Sequence, residues 1–331
     1  MGNQELDAIL QSFVAVGEET KDKLLGAAFC VVNKDGVLYQ GSAGRTDLPV
    51  DSPPFTMQSF TWIASMTKIV TAAAAMQEVE RGGVGLDQDM RPLVPQLAQM
   101  EVLRGFEADG KPVLEPNPKG LALRPCILDP LGMQSTTFYS LNADESLQRR
   151  KVAVSYRDPE TGTLSIGPLP IPAEPPVQCG GGGLWTTCED FSKFLRAVLA
   201  DATGNGADAA GMRRRILRPE TVAEMLRPQL DDRQREALRS VTSEAYDSMV
   251  PEFERTTPLD HGISGIINLA DVPAKRRAGS MMWKGFTNGQ WWIDPKAGIA
   301  AVLIVNVLPQ PDPVLTKLHD ELERAVYSDL I

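Results

Sequence analysis

The sequence predicts an α+β protein: an antiparallel sheet flanked by helices, together with a helical lobe. Strand patterns at residues 27–32 and 37–41, on either side of turn residues 33–36, predict a hairpin that starts the sheet. Apolar strands between residues 262 and 308, separated by short turns, predict the rest of it. Helical patterns at both ends of the chain predict two further helices, and the last of them is expected to pack across this sheet.

The chain is long enough to bury a sizeable core, and no internal repeat is evident. An amphipathic helix at 6–13 opens it, and another at 314–326 closes it after a proline-rich turn. We expect a single two-lobed unit over residues 1–331. In this unit about 1–49 and 151–331 form the sheet lobe, and about 50–150 form a shortened helical lobe. The polar stretch 208–250 is expected to form surface helices and a mobile loop.

Composition argues against several classes of function. The 331 residues have a formal net charge of −10, which disfavours binding to nucleic acid or to an anionic membrane surface. No apolar stretch is long enough to cross a bilayer, and the acidic N-terminus does not look like a signal peptide. The spacing of the four cysteines does not match that of a disulfide framework. We therefore expect free thiols in a reducing compartment, the cytoplasm.

Histidine is nearly absent, and this narrows the chemistry. The two histidines, His261 and His319, do not have metal-ligand spacing, so we expect no metal and no cofactor. The Gly-x-Ser-x-Gly elbow of many Ser-His-Asp hydrolases is missing too. His319 falls on the polar side of the last helix, where a solvated position is expected. His261 precedes an apolar strand predicted at 263–269, and it is either structural or lines the cleft.

Ser65 and Lys68 stand at the start of an apolar helix predicted over 66–80. Three residues apart on a helix, a hydroxyl and an amine share one face and can exchange a proton. Serine is a weak nucleophile until a base removes its proton. Lysine is such a base only when its pKa is lowered, for example by burial beside another cation. The alternative is that Ser65 and Lys68 lie on a solvated face of the helix. The neighbours of Ser65 are apolar, however, which favours burial of the hydroxyl and the amine together. The pattern therefore predicts Ser65 as nucleophile and Lys68 as base.

Four consecutive glycines at 180–183 precede a helix that we expect Thr187 or Thr186 to cap. The run lacks the Lys-Ser/Thr of a P-loop and the strand of a dinucleotide fold, so a phosphate site is disfavoured. We expect a loop that closely approaches the active site. The helix after it is predicted to turn an apolar face to the core: Phe191, Phe194, Leu195, Val198 and Leu199.

With these motifs the chain resembles the SxxK serine enzymes of the β-lactamase and penicillin-binding-protein family. Within that family it looks most like the esterase and acyltransferase (transesterase) branch of fungal secondary metabolism. The resemblance runs through most of the sequence: 60–89 around Ser65, 102–106 with 109–110, 129–133 with 136–138, 181–184, 261–262, 283–285 and 291–295. It implies the β-lactamase/transpeptidase-like fold, with a cleft between the two lobes.

The resemblance also implies roles for the Trp-Lys-Gly sequence at 283–285, which matches a Trp-x-Gly variant of the family's third motif. A backbone amide near Trp283 and Gly285 would join the amide of Ser65 in an oxyanion hole, and Thr287 would line the pocket. The alternative is that the Trp-Lys-Gly sequence belongs to an ordinary hairpin, with its aromatic side chain on a packed face. Tryptophan in place of lysine removes the cation that would hold a β-lactam carboxylate, which favours a neutral ester or thioester substrate.

The chain departs from the family in one place. Members have a Tyr-x-Asn motif between the SxxK helix and the Pro-Leu-Gly-Met segment, here at 130–133, and its tyrosine helps to move the proton. Several dozen residues that the family would place between Arg124 and Pro125 are absent, and the motif tyrosine with them. Of the five tyrosines, Tyr139 comes nearest to such a motif, but it lies on the wrong side of that segment.

Two explanations fit this junction: an exon missing from the gene model, which the abrupt join favours, or a natural shortened variant. The resemblance implies serine-dependent acyl transfer through an acyl-enzyme on Ser65. The donor would be a small-molecule or thioester-carried acyl group and the acceptor water or an alcohol, with an acyl-carrier protein as candidate partner. The alternative is a catalytically impaired or inactive relative that at most binds such ligands, because the tyrosine segment is missing.

Overall fold

The computed structural model describes residues 3–88, 124–138, 144–172, 179–203 and 215–330. The motif segments at 102–106 and 109–110 and Tyr139 lie outside these ranges. The described helices are α1 Gln4–Phe13, α2 Thr67–Glu80, α3 Glu145–Gln148, α4 Cys188–Ala202, α5 Pro219–Leu226, α6 Asp232–Glu244, α7 Tyr246–Met249 and α8 Pro313–Asp329. The described strands are β1 Gly26–Asn33, β2 Val37–Gly44, β3 Thr61–Trp62, β4 Val154–Arg157, β5 Leu164–Gly167, β6 Trp185–Thr186, β7 Leu259–Gly262, β8 Gly265–Asn268, β9 Met281–Lys284, β10 Gln290–Asp294, β11 Ile299–Ile304 and β12 Val307–Leu308.

Seven strands form the main sheet in the order β2-β1-β11-β10-β9-β8-β7, and all neighbouring pairs are antiparallel. The predicted hairpin, β1-β2, forms one edge. Because β1 pairs with β11, a strand from near the start of the chain and one from near its end are neighbours within this sheet. The smaller sheets are β12-β4-β5 and β3-β6. The predicted antiparallel sheet flanked by helices is confirmed.

Helices cover both faces of the main sheet. Side chains alternate along a strand, so Ala28 and Cys30 of β1 pack with α2 and α4, whereas Phe29 and Val31 pack with α1 and α8. All of these side chains are buried. The predicted packing of the last helix across the sheet is therefore confirmed. The division into two lobes stays a prediction, because residues 89–123 lie outside the described ranges.

The core helix after the glycine run is also confirmed. Thr187 caps α4, because its hydroxyl accepts a hydrogen bond from the amide of Asp190 at 3.1 Å. The apolar face predicted for this helix is buried throughout. It packs against β1 and β11. The cap and the buried face therefore fix both the start and the orientation of α4.

His319 is a correction. The sequence predicted a solvated position, but the side chain is 3% exposed and packs edge-on against Trp292, with 5.2 Å between ring centroids. The prediction was wrong because this side of α8 faces buried ion pairs instead of solvent. One turn along, Glu323 pairs with Arg276 at 2.7 Å, and both side chains are fully buried. Burial and the neighbouring Arg276 hold the pKa of His319 well below its usual value.

The strand predicted at 263–269 is shorter than expected. The chain turns at Ser264, whose φ of 88° lies in the left-handed region, and only β8 follows. His261 therefore lies within strand β7 itself and not in the segment that leads into a long strand.

None of the helices in the described ranges combines the length and the apolar composition that a membrane span needs.

Candidate active site

Ser65 lies in a single turn of 3₁₀-helix, Ala64–Met66, which leads into α2. Ala64 has a φ of 45°, a left-handed conformation that costs a residue with a side chain roughly 1–3 kcal/mol. Neighbouring groups hold the turn: Thr67 Oγ1 donates to the carbonyl of Ala64 at 2.6 Å and accepts from the amide of Leu184 at 3.1 Å. The direction of the Ser65 side chain is thus set by a strained and clamped backbone.

The structure brings Ser65 and Lys68 together. Lys68 Nζ lies 2.8 Å from Ser65 Oγ and 2.7 Å from the carbonyl oxygen of Gly181, and both side chains are partly buried. Burial lowers the pKa of Lys68, while the nearby Cys179 acts in the opposite sense. The lowering therefore comes from burial and not from the neighbouring cation that the sequence hypothesis invoked. A neutral Lys68 can donate to Gly181 and accept the Ser65 proton on its lone pair.

The glycine run forms the wall behind Lys68. Three successive carbonyl oxygens accept hydrogen bonds from the nucleophile segment: Gly180 from Thr71, Gly181 from Lys68 and Gly182 from Trp62. A Cβ on Gly183 would stand 2.9 Å from the carbonyl oxygen of Cys179, so this turn has no room for a side chain there. The expected close-approach loop is confirmed, although its role as acceptor for the lysine was not foreseen.

The loop at 285–289, between β9 and β10, lies directly against the nucleophile turn. A Cβ on Gly285 would stand 2.4 Å from the carbonyl oxygen of Ile63, so only glycine allows this approach. Thr287 is buried, and its hydroxyl donates to the carbonyl of Trp62 at 3.1 Å. Thr287 therefore fastens the hairpin to β3 instead of facing the pocket as the sequence suggested.

A cavity of about 190 Å³ opens beside Ser65. Trp283 lines it, and Phe286, 47% exposed, is another of its walls. Besides Ser65 the lining side chains are mostly apolar: Met249, Ile266, Met282, Trp283 and Phe286, with Ser248, Lys284 and Gln310 as the polar ones. An apolar pocket beside a nucleophile suits the hydrocarbon part of an acyl group.

His261 is not among the residues that line this cavity. It lies behind Trp283, with the two rings in a T-shaped contact 5.6 Å apart. Its Nδ1 is 2.6 Å from the carbonyl oxygen of Gly262 and donates to it. Of the two predicted roles the structure favours the structural one: His261 positions the indole of Trp283.

The described residues place no tyrosine hydroxyl at the pair formed by Ser65 and Lys68. The four described tyrosines bind elsewhere: Tyr39 to Asp7, Tyr156 to the carbonyl of Pro168, Tyr246 to the carbonyl of Phe253 and Tyr327 to Asp294. In this part of the chain, Lys68 is therefore the titratable group that can move the serine proton. Among the same residues, no cluster of His, Cys, Asp or Glu is arranged to hold a metal ion.

Sequence reasoning missed part of the pocket wall. Ser248, Met249 and Gln310 come from α7 and from the turn before α8, far from Ser65 along the chain. No local pattern marks them, because they reach the site only through the packing of α7 and α8 against the sheet. Phe286 carried a weak signal, since it directly follows the Trp-Lys-Gly sequence.

Comparison with known proteins finds relatives that are esterases and acyltransferases. Lovastatin esterase of Penicillium rubens is 25% identical, over 97% of this chain and 98% of that relative. Monacolin J acid methylbutanoyltransferase of Aspergillus terreus is 24% identical, over 83% of this chain and 84% of that relative. The solved structure of a LovD6 mutant of simvastatin synthase from Aspergillus terreus has the same fold. Its TM-score is 0.82 at 23% identity, over 98% of this chain and 94% of that one.

The comparison also shows a difference in length. The alignment with lovastatin esterase extends over 411 positions, more than the 331 residues of this chain, so that relative has stretches that this chain lacks. The family model described as Beta-lactamase matches residues 6–112 and 122–324. Because this match takes in most of the sequence, the resemblance inferred from the motifs is confirmed, and the chain belongs to the Beta-lactamase family.

Proposed function

We propose that the protein is a serine-dependent acyl-transfer enzyme. It takes an acyl group from an ester or thioester onto Ser65 and passes it to water or to an alcohol. The observation that carries this proposal is the 2.8 Å contact between Lys68 Nζ and Ser65 Oγ, together with the lowered pKa of Lys68. The similarity to an esterase and to a methylbutanoyltransferase supports both outcomes of the second step.

In the first step, neutral Lys68 accepts the proton of Ser65 while the serine oxygen attacks the carbonyl carbon of the donor. The carbonyl oxygen becomes an oxyanion, which we assign to the backbone amide of Ser65 and to an amide of the loop that starts at Gly285. The tetrahedral intermediate then collapses. The acyl group stays on Ser65, and the alkoxide or thiolate leaves with the proton that Lys68 had taken.

In the second step the same groups work in reverse. Water or an alcohol gives its proton to Lys68 and attacks the acyl carbon, and the bond to Ser65 breaks. The proton returns to the serine oxygen. Lys68 makes both proton transfers in this scheme, because the described residues put no tyrosine beside it.

The pocket walls favour a short, neutral acyl group. Trp283 and Phe286 give the cavity at Ser65 an apolar lining. His261 and Thr287 act by positioning the indole and the hairpin, respectively, so we give them no contact with substrate. We propose a thioester-carried or small-molecule ester donor in secondary metabolism, with an acyl-carrier protein as the partner to test for thioesters.

The decisive experiment is intact-mass measurement after exposure to p-nitrophenyl butanoate or to a butanoyl thioester. We expect a mass gain of one butanoyl group in the wild-type chain and none in Ser65→Ala. Ser165→Ala is the matched control, since Ser165 is an exposed serine on β5. Lys68→Ala should form the adduct about 10²–10⁴-fold more slowly, the usual contribution of a general base.

A folded sample that gains no mass would overturn the proposal. Circular dichroism on the same sample establishes that it is folded. That result would favour the alternative raised by the missing tyrosine segment, a protein that binds acyl ligands without turnover. An adduct that survives in Ser65→Ala would place the nucleophile elsewhere.

A further inference from the structure

The orientation of the Lys68 amine depends on a backbone segment that needs outside support. Among the described residues Lys68 Nζ has two partners, Ser65 Oγ at 2.8 Å and the carbonyl oxygen of Gly181 at 2.7 Å. A carbonyl only accepts, so it takes an N–H and leaves the lone pair of the neutral amine for the serine. Gly181 lies within four consecutive glycines, and glycine has the widest conformational freedom of any residue. The direction of its carbonyl must therefore be set by other contacts.

Two side chains hold the carbonyls on either side of this one. Thr71 Oγ1 donates to the carbonyl of Gly180 at 2.7 Å, and Trp62 Nε1 donates to the carbonyl of Gly182 at 2.6 Å. The carbonyl that Lys68 uses is thus the middle one of three, and both of its neighbours are bonded to side chains of the nucleophile segment.

The contact made by Thr71 is unusual for a threonine inside a helix. Such a hydroxyl commonly bonds back to the carbonyl four positions earlier in its own helix, as Thr242 does in α6 and Thr316 does in α8. Thr71 instead donates to a residue 109 positions away. It also precedes four alanines at 72–75, in a helix where alanine is the more favourable residue. Threonine at this position therefore serves the contact with the glycine run and not the helix.

Thr71 shares its helix with the base. It follows Lys68 by three positions, so both side chains lie on one face of α2. Because the helix fixes the distance between them, a carbonyl run held by Thr71 has a set position relative to Lys68. Neither Thr71 nor Trp62 is among the residues that line the cavity at Ser65, so a change at either leaves the walls of that cavity in place.

We propose that Thr71 and Trp62 are positioning residues for the base. They hold the glycine run so that the Gly181 carbonyl directs the lone pair of Lys68 towards Ser65. The inference rests on the proposed function, because it concerns the transfer of the serine proton to the lysine. Without the Thr71 donor its carbonyl partner is released, the neighbouring peptide turns with it, and the amine rotates away from the serine.

The test measures acylation in a single turnover. Stopped-flow recording of the p-nitrophenolate burst from p-nitrophenyl butanoate gives a rate constant and an amplitude, and the amplitude counts the competent molecules. Thr71→Val keeps the shape of the side chain but lacks the donor. In this variant we expect the rate constant to fall by about 10-fold to 100-fold at full amplitude.

Two further variants frame this result. Thr71→Ser keeps a hydroxyl and should recover most of the rate. Thr242→Val is the matched control, because it removes a helical hydroxyl that bonds only within its own helix. It should leave both the rate constant and the amplitude unchanged.

A double-mutant cycle shows whether Thr71 acts through the lysine. In a Lys68→Ala background, followed by intact mass because the reaction is slow, Thr71→Val should cause no further loss of rate, since the group that it positions is gone. Trp62→Phe is an independent probe of the same carbonyl run, because it removes the indole N–H but keeps an aromatic ring. It should slow the burst in the same way, and it carries the test if Thr71→Val fails to fold.

The outcomes separate this inference from the proposed function. If the wild-type chain gives no burst and no adduct, the proposed function fails, and this inference fails with it. If the wild-type burst is present but Thr71→Val keeps its rate constant, only the positioning role is wrong. A lower amplitude at an unchanged rate constant would mean that Thr71 serves stability alone. An equal loss of rate in the Lys68→Ala background would mean that Thr71 acts on the serine turn instead of on the lysine.

Discussion

Lys68 shows how a single residue can be prepared for chemistry by its surroundings. Its amine sits between Ser65 and the carbonyl of Gly181, in a partly buried position where the charged form is poorly solvated. The carbonyl of Gly181 accepts one N–H, which directs the lone pair of the neutral amine to the serine. Both features come from the glycine run at 180–183, over a hundred residues along the chain.

This position has a consequence for the pH dependence of acylation. Below its pKa Lys68 is protonated and cannot accept the serine proton, so the rate should fall as the pH falls. Because burial lowers that pKa, we expect the rate to level off below the ordinary lysine value of about 10.4. Stopped-flow measurement of the p-nitrophenolate burst between about pH 6 and about pH 11 gives the profile. An inflection at or above the ordinary lysine value would contradict the assignment of Lys68 as base.

Single residues also show where sequence reasoning stops. Ser65 and Lys68 could be paired from the sequence because three positions on a helix define a shared face. Thr287 could not be placed, because its hydroxyl binds Trp62, 225 positions away. His319 packs against Trp292 of β10, and its pKa responds to Arg276 in the loop between β8 and β9, so neither partner belongs to its own helix. The spacing of residues within one element gives no information about contact partners that are distant along the chain.

Among the elements, the hairpin β9-β10 bears most directly on activity. Its loop packs against the nucleophile turn, and Gly285 is the point of closest approach. In Gly285→Ala the new Cβ would meet the backbone of Ile63 at 2.4 Å, so the hairpin must move away from Ser65. A displacement of about 1 Å costs on the order of 10²-fold in rate, and we expect a loss of that size in kcat/KM.

Steady-state assays with p-nitrophenyl butanoate measure this loss. Gly36→Ala is the matched control, because Gly36 has open space around it and lies in the distant β1-β2 turn. It should retain wild-type kcat/KM. If Gly285→Ala also retains it, the hairpin does not set the geometry of the oxyanion site.

The elements themselves were largely predictable. The β1-β2 hairpin, α2, the Thr187 cap and α8 follow from turn residues, capping residues and apolar periodicity, all of which are local. The parallel pairing of β12 with β4 was not foreseen, since it joins Val307 to Ser155. The cavity at Ser65 escaped prediction for the same reason: its walls come from five separate stretches of chain.

At the scale of the whole molecule, a buried ion pair joins the last helix to the sheet. Arg276 and Glu323 are both fully buried, and Lys275 lies 3.7 Å from the same carboxylate. Glu323→Gln would leave the guanidinium without its counter-charge. Removing one partner of a buried pair typically costs about 3–5 kcal/mol of the free energy of unfolding.

Urea unfolding followed by circular dichroism measures that cost. Glu321→Gln on the same helix is the control, because Glu321 is exposed and lies 3.9 Å from the exposed Lys317. Its effect should stay below about 1 kcal/mol, as for surface ion pairs in general. Equal effects of the two substitutions would mean that the Arg276 pair does not anchor α8.

The clamped turn at Ser65 ties catalytic competence to the order in which the chain folds. Its contacts come from Leu184 and from Thr287, which lie more than a hundred residues away from it along the chain. Closing such large loops is entropically costly, and contacts of this kind form slowly compared with a helix. Helix α2 can therefore form early, while the serine acquires its reactive orientation only once both ends of the chain have docked. Under the proposed function, we therefore expect partly folded molecules to form no acyl-enzyme on Ser65.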